Sequence, residues 1–175
     1  MNYLKLFLRL IQDQFKYGGR KYAHSKQKES TDVLFDDFGK NWLFGTIAKY
    51  IKRYSNLARE RDLLKIACYM FILWLKRGFH LNKEGSEKPI DTTVEIKTKY
   101  FNLFKNRIEN RVKNNIIDYH KPLQKIYKLL YKFGQIKFNK IPEKDLTEIF
   151  ILSYYIWKEQ IPLKGKDLDT WLERK

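Results

Sequence analysis

The chain has 175 residues, 43% apolar and 16% aromatic, with 36 Lys and Arg against 20 Asp and Glu for a net charge of +16. This length suits one domain with a real core, and the apolar share excludes wholesale disorder. The charge excess says little about fold and points to polyanionic partners, nucleic acid or nucleotide first, although Lys, Ile, Asn and Tyr are also the residues an AT-rich genome favours.

Strand alternation is nearly absent and helical spacing dominates. The first segment, "MNYLKLFLRLIQDQF", has the greasy look of a signal peptide, but Lys5, Arg9 and Asp13 interrupt it. Leu4, Leu8 and Ile11, with Phe7, Leu10 and Phe15, predict an amphipathic helix instead. "YGGRKYAHSKQKES" reads as a basic loop in which Gly18 and Gly19, with Arg20 and Lys21, could cradle phosphate, though without P-loop spacing. A helix is expected from Thr31 or Asp32, broken at Gly39 and continuing to Tyr54, with Trp42, Leu43, Ile47 and Ile51 inward. Gly45 inside it implies close approach of a neighbouring helix. Its other side carries Lys49, Lys52 and Arg53 beside Tyr50 and Tyr54, a mixture that suits a nucleotide or single strand and equally suits the wet rim of a bundle.

The next helix is capped by Ser55 or Asn56 and stopped by Gly78. Between Leu63 and Leu75 only Lys65 is charged, so this helix belongs at the centre of a bundle. Its uncharged run, 66–75, is too short for the ~20 residues that span a bilayer. A soluble, cytoplasmic protein follows, in the host cytoplasm if the chain is phage-encoded. The polar stretch 81–92 separates an N-terminal helical half, 1–80, from a basic C-terminal half, 93–175, within one compact domain.

Thr92 and Glu95 match a capping box that opens a helix running to about Asp118. Along it Ile96, Tyr100, Phe104, Ile108, Val112 and Ile116 form an apolar ridge that winds slowly around the helix, and Asn102, Asn106, Asn110 and Asn114 lie opposite. Lys99, Arg107 and Arg111 border the asparagines on one side and Lys97, Lys105 and Lys113 on the other. Amides flanked by cations are suited to phosphate, sugar and base edges. A helix follows over 123–133. After a turn through 134–142, "EKDLTEIFILSYYIWKEQ" supplies a second apolar helix ended by Pro162, and "KDLDTWLER" a short last one. Asp62, Leu63, Ile66 and Trp74 recur as Asp145, Leu146, Ile149 and Trp157, each set behind a basic helix. The fold expected is therefore all-α: a bundle of two helical hairpins, with amphipathic helices around two apolar central ones.

No complete catalytic motif is present. The acids that could converge are Asp32, Asp36, Asp37 and Asp62, of which Asp32 and Asp36 share a helix face. Together such carboxylates could hold Mg²⁺ through oxygen ligands. His24, His80 and His120 lack ligand spacing, and Cys68 reads as a core residue that cannot form an internal disulfide.

Residues 36–76, with "DDFGKNWLFGTIAKYIKRY" followed by "DLLKIACYMFILW", resemble the small helical, often phage-encoded proteins around the MazG-type nucleoside-triphosphate pyrophosphohydrolases. The resemblance implies an oligomeric all-α bundle acting on nucleotides with Mg²⁺. That family carries EExxE on one helix and ExxD on a later one. Here Asp36 and Asp37 stand in the first place and Asp62 in the second, as the metal ligands the resemblance would imply, with Glu60 out of step.

Three readings follow. The first is a non-catalytic binder of nucleic acid or nucleotide phosphate, without a cofactor, using Lys49, Lys52, Arg53, Lys99, Lys105, Arg107 and Arg111 with Asn106 and Asn110. The second is a Mg²⁺-dependent pyrophosphohydrolase using Asp32, Asp36, Asp37 and Asp62. The third is a structural or protein-interaction helical protein; a homo-oligomer is compatible with each.

Overall fold

The computed structural model describes residues 3–22, 30–81, 90–114, 118 and 120–163. Six helices account for them: α1 (Tyr3–Tyr22), α2 (Ser30–Leu57), α3 (Glu60–Lys76), α4 (Val94–Lys113), α5 (Pro122–Gln135) and α6 (Glu143–Leu163). Short 3-10 turns at Phe79–Leu81 and Phe138–Lys140 follow α3 and α5, and no strand occurs among the described residues.

The two apolar helices, α3 and α6, pack against each other. Two residues join α2 to α3, which folds them into a hairpin, and α5 and α6 form another. α2 also meets α5, so the two hairpins close a four-helix ring, while α1 and α4 pack on the α3–α6 pair from elsewhere. α3 is thus covered on most sides, which is why it lacks a polar face: Trp74 and nearly every neighbour are fully buried, as is Trp157 on α6. Much of the aromatic content is spent here. Phe104 on α4 meets Phe71, Trp74 and Phe150 at centroid distances of 5.0, 5.2 and 5.0 Å, and Phe7 on α1 meets Trp157 at 5.2 Å. The cluster of buried side chains draws on both halves of the chain. No described helix is long and apolar enough to cross a membrane.

The recurring acids play matching parts. Asp62 in the first turn of α3 pairs with Arg53 near the end of α2. Asp145 in the first turn of α6 pairs with Lys132 near the end of α5, at 2.7 Å. Each hairpin is therefore closed by a salt bridge beside its turn, with the acid placed where a helix dipole favours negative charge.

α2 bends at Gly39, whose φ of 65° and ψ of −160° suit glycine alone. Before the bend, Asp32 is fully buried. Its carboxylate accepts from Lys76 Nζ, the Thr92 amide and the Thr92 hydroxyl, each at 2.8 Å. Lys76 also donates to the Ile90 carbonyl at 3.2 Å and lies over the Phe35 ring. After the bend, Lys40 donates to the carbonyls of Phe133 (3.1 Å), Gly134 (3.4 Å) and Ile136, capping the otherwise unsatisfied end of α5.

Several local expectations are corrected. Gly45 is exposed, and a Cβ built on it meets nothing within 4 Å, so no helix approaches there. Ser55 and Asn56 finish α2 rather than cap α3, whose N-cap is Arg59 without a side-chain hydrogen bond. Thr93, not Thr92, caps α4 by accepting from the Ile96 amide, because the Thr92 hydroxyl is taken by Asp32. α4 ends at Lys113, short of Asp118. Helix α1 continues through Gly18 and Gly19, where amides serve the helix and are not left for phosphate, and α6 includes Pro162. The short final helix expected over 166–174 lies outside the described residues.

Candidate functional site

On α3, the residues between Arg61 and Lys76 that keep contact with solvent are Arg61, Lys65 and Tyr69, spaced by four. Residues at that spacing lie on one side of a helix. Facing this stripe are Trp42, Tyr50 and Arg53 of α2, and between the two helices lies a cleft of about 420 Å³. Tyr17 of α1 and Arg59 of the α2–α3 turn complete its rim. Tyr50 and Tyr69 stack with centroids 6.0 Å apart and planes at 26°. Four cations, Arg53, Arg59, Arg61 and Lys65, line the cleft against a single carboxylate, Asp62.

That carboxylate is already occupied. Asp62 is fully buried, and Arg53 donates to it from Nε at 2.9 and 2.8 Å and also from Nη2. Arg53 is one-third exposed and spans the Tyr50 ring at 5.0 Å, with Lys49 over the same ring at 5.1 Å. The hydrogen bond that Arg53 donates to Asp62 raises the Arg53 pKa, outweighing partial desolvation, with the charges of Asp62 and Tyr50 adding to it. The guanidinium is thus fixed in plane and in charge. A buried acid is costly, and here its outlay goes into orienting one arginine at the cleft wall.

The cationic candidates fall into two groups. On α2, Arg53 lines this cleft, Lys49 lies over the Tyr50 ring of its wall, and Lys52 is exposed outside it. Lys99, Lys105, Arg107, Arg111, Asn106 and Asn110 lie on α4, which packs on α1, α3 and α6 and not on α2 or α5 to a comparable extent. On α4 the outward face is weaker than its sequence suggests. Arg107 pairs with Glu143 at 3.1 Å, and Glu143 also accepts from Trp74 Nε1 at 2.7 Å. Arg111 donates to the Lys144 carbonyl at 2.6 Å and to Thr147 Oγ1, and burial lowers its pKa. Lys105 lies 3.9 Å from Glu109. Lys97, placed on the polar flank by spacing, is buried over Phe15 of α1. Lys99, Asn106 and Asn110 do remain exposed.

The acids are dispersed. Asp32 is held by Lys76 and Thr92, Asp62 by Arg53, and Asp36 and Asp37 are exposed on α2. Among the described residues no three His, Cys, Asp or Glu side chains gather into a group able to hold a metal ion. Cys68 is buried.

Spacing along α2 singled out Lys49, Tyr50, Lys52 and Arg53 and turned Trp42 inward, where it packs half-buried against the core and also lines the cleft. Arg59, Arg61, Lys65 and Tyr69 were missed. Arg61, Lys65 and Tyr69 carried a signal, as polar residues recurring every fourth position in an otherwise apolar helix, whereas Arg59 precedes that helix and had none. Comparison with known protein families, curated proteins and solved structures finds no match.

Proposed function

We propose that this protein is a non-catalytic, cytoplasmic binder of nucleic acid or nucleotide phosphate, and that the α2–α3 cleft is its principal site. The observation that carries this reading is the gathering of Arg53, Arg59, Arg61 and Lys65 with Tyr50 and Tyr69 around one concavity. Guanidinium groups match phosphate oxygens in a fork geometry that a lysine cannot reproduce. Aromatic rings beside them offer a base its π-face. The volume lies within the range of small-ligand pockets. Arg53 adds preorganisation, since Asp62 has already fixed its rotamer. The non-catalytic part of the reading rests on the scatter of Asp32, Asp36, Asp37 and Asp62 described above.

The test is fluorescence anisotropy with a labelled four-nucleotide single strand over a range of salt. Arg53 is balanced by Asp62, so Arg59, Arg61 and Lys65 meeting phosphates give a log–log slope of about −2. Arg59→Glu with Arg61→Glu, both exposed, lowers affinity at least about tenfold without moving the melting temperature. Salt-independent binding, or an unaffected double variant, would sink the cleft assignment. Pyrophosphate release from a deoxynucleoside triphosphate, abolished by Asp62→Asn, would overturn the non-catalytic reading.

A further inference from the structure

Beside the cleft, a second concavity of about 590 Å³ runs between α2 and α5. Gly45 and Ala48 contribute little side chain to it, Lys49 and Lys52 flank it, and Tyr127 stands on the α5 side. Arg53 lines both concavities. The Tyr50 ring, bracketed by Lys49 and Arg53, lines the first concavity. Joined at Arg53, the two form one path across α2 bordered by six cations: Arg59, Arg61 and Lys65 at the first concavity, Lys49 and Lys52 at the second, and Arg53 at both.

Resting on the phosphate-binding reading above, we propose that this path is a track for single-stranded nucleic acid, several nucleotides long, rather than for duplex. Three observations support it. First, the aromatic side chains lie within concavities, and a base can enter these only when it is unpaired and unstacked from its neighbours. Second, Tyr127 and Leu57 remain 45% and 54% exposed at the second concavity, apolar surface that a stacked base or sugar would cover. Third, the added Cβ at Gly45 would meet nothing within 4 Å, so the floor is open to a ligand and not filled by the bundle. Cations bordering adjoining concavities that also hold rings match the phosphates and bases of a strand.

The experiment measures anisotropy with the full chain and labelled mononucleotide, single strands of 2, 4, 8 and 12 nucleotides, and a 12-base-pair duplex. Affinity is expected to rise with strand length, to favour the single strand over the duplex about tenfold, and to steepen in salt dependence toward a log–log slope of about −3.5 as the five cations other than Arg53 engage. The double variant Lys52→Ala, Tyr127→Ala should weaken the 12-mer about tenfold and leave mononucleotide binding within about twofold, because it touches only the second concavity. Mononucleotide binding as tight as the 12-mer would overturn the track and retain the cleft as a free-nucleotide site. Duplex binding equal to single strand, with the double variant silent, would overturn strand selectivity and retain polyanion binding. Absence of binding to every probe would overturn the phosphate-binding reading itself.

Discussion

Gly45 and Gly39 lie six residues apart on α2 and obey opposite rules. Gly39 holds a backbone geometry that a side chain resists, whereas Gly45 is an exposed helical residue with open space around it. Gly45→Ala should therefore stabilise the fold by about 1 kcal/mol, and Gly39→Ala should cost about 1–3 kcal/mol. Thermal melts check both; a destabilised Gly45→Ala would show that the bundle needs flexibility there. Titration supplies a second test. Burial, reinforced by Glu60 and Glu159, pushes the Tyr54 phenol up to about 12, while an unfolded chain ionises it near ~10. Its contribution is complete below pH ~10 and lost as pH climbs through the folded value. The melting temperature should fall across that window, and Tyr54→Phe should flatten the fall, although it also removes the hydroxyl that Gln160 donates to. His80 acts in the opposite sense. Burial lowers its pKa against a raising backbone bond at Leu75, with Lys99 lowering it further, so its contribution holds above pH ~6.5 and wanes on acidification.

At the scale of elements, the contact to test is the buried pair of Asp32 and Lys76. It ties the first part of α2 to the end of α3 and, through Thr92, to the chain entering α4. Removing one partner strands a charge in the interior, so Asp32→Asn or Lys76→Met should each cost about 3–5 kcal/mol. Replacing both by apolar residues should cost less than the sum of the singles. Denaturant unfolding of the three variants decides it, and additive losses would mean the pair is not coupled. Helices themselves were legible from spacing: the break at Gly39, the stop at Gly78 and both central helices fall where the pattern puts them. Caps were not, because Thr92 and Thr93 are alike locally and only Asp32, 60 residues away, distinguishes them. The polar face of α4 was misjudged for a geometric reason. A strict four-residue step drifts about 40° per step, so a ridge drawn that way turns roughly halfway around over 20 residues. The buried row is instead Lys97, Phe101, Phe104 and Ile108, alternating steps of four and three, and it carries Lys97 inward.

For the molecule as a whole, the decisive packing is α3 against α6, because it joins residues from both halves of the chain. A fragment of residues 1–80 would expose the surface of α3 that α6 covers. It should lack a cooperative melt by circular dichroism; a sharp two-state transition in the fragment would show that the first half folds by itself. The architecture was readable from composition and periodicity because two apolar helices need sheathing. The cleft was only half readable, because its α3 side consists of three positions in a helix otherwise buried. Yet the cleft is local. Apart from Tyr17, Thr31 and Leu34, every side chain lining it lies between Trp42 and Tyr69, on one hairpin joined by a two-residue turn. Both walls are therefore hinged on Ala58 and Arg59, so lengthening that turn would slide Lys65 and Tyr69 past Tyr50 and part the two stacked rings.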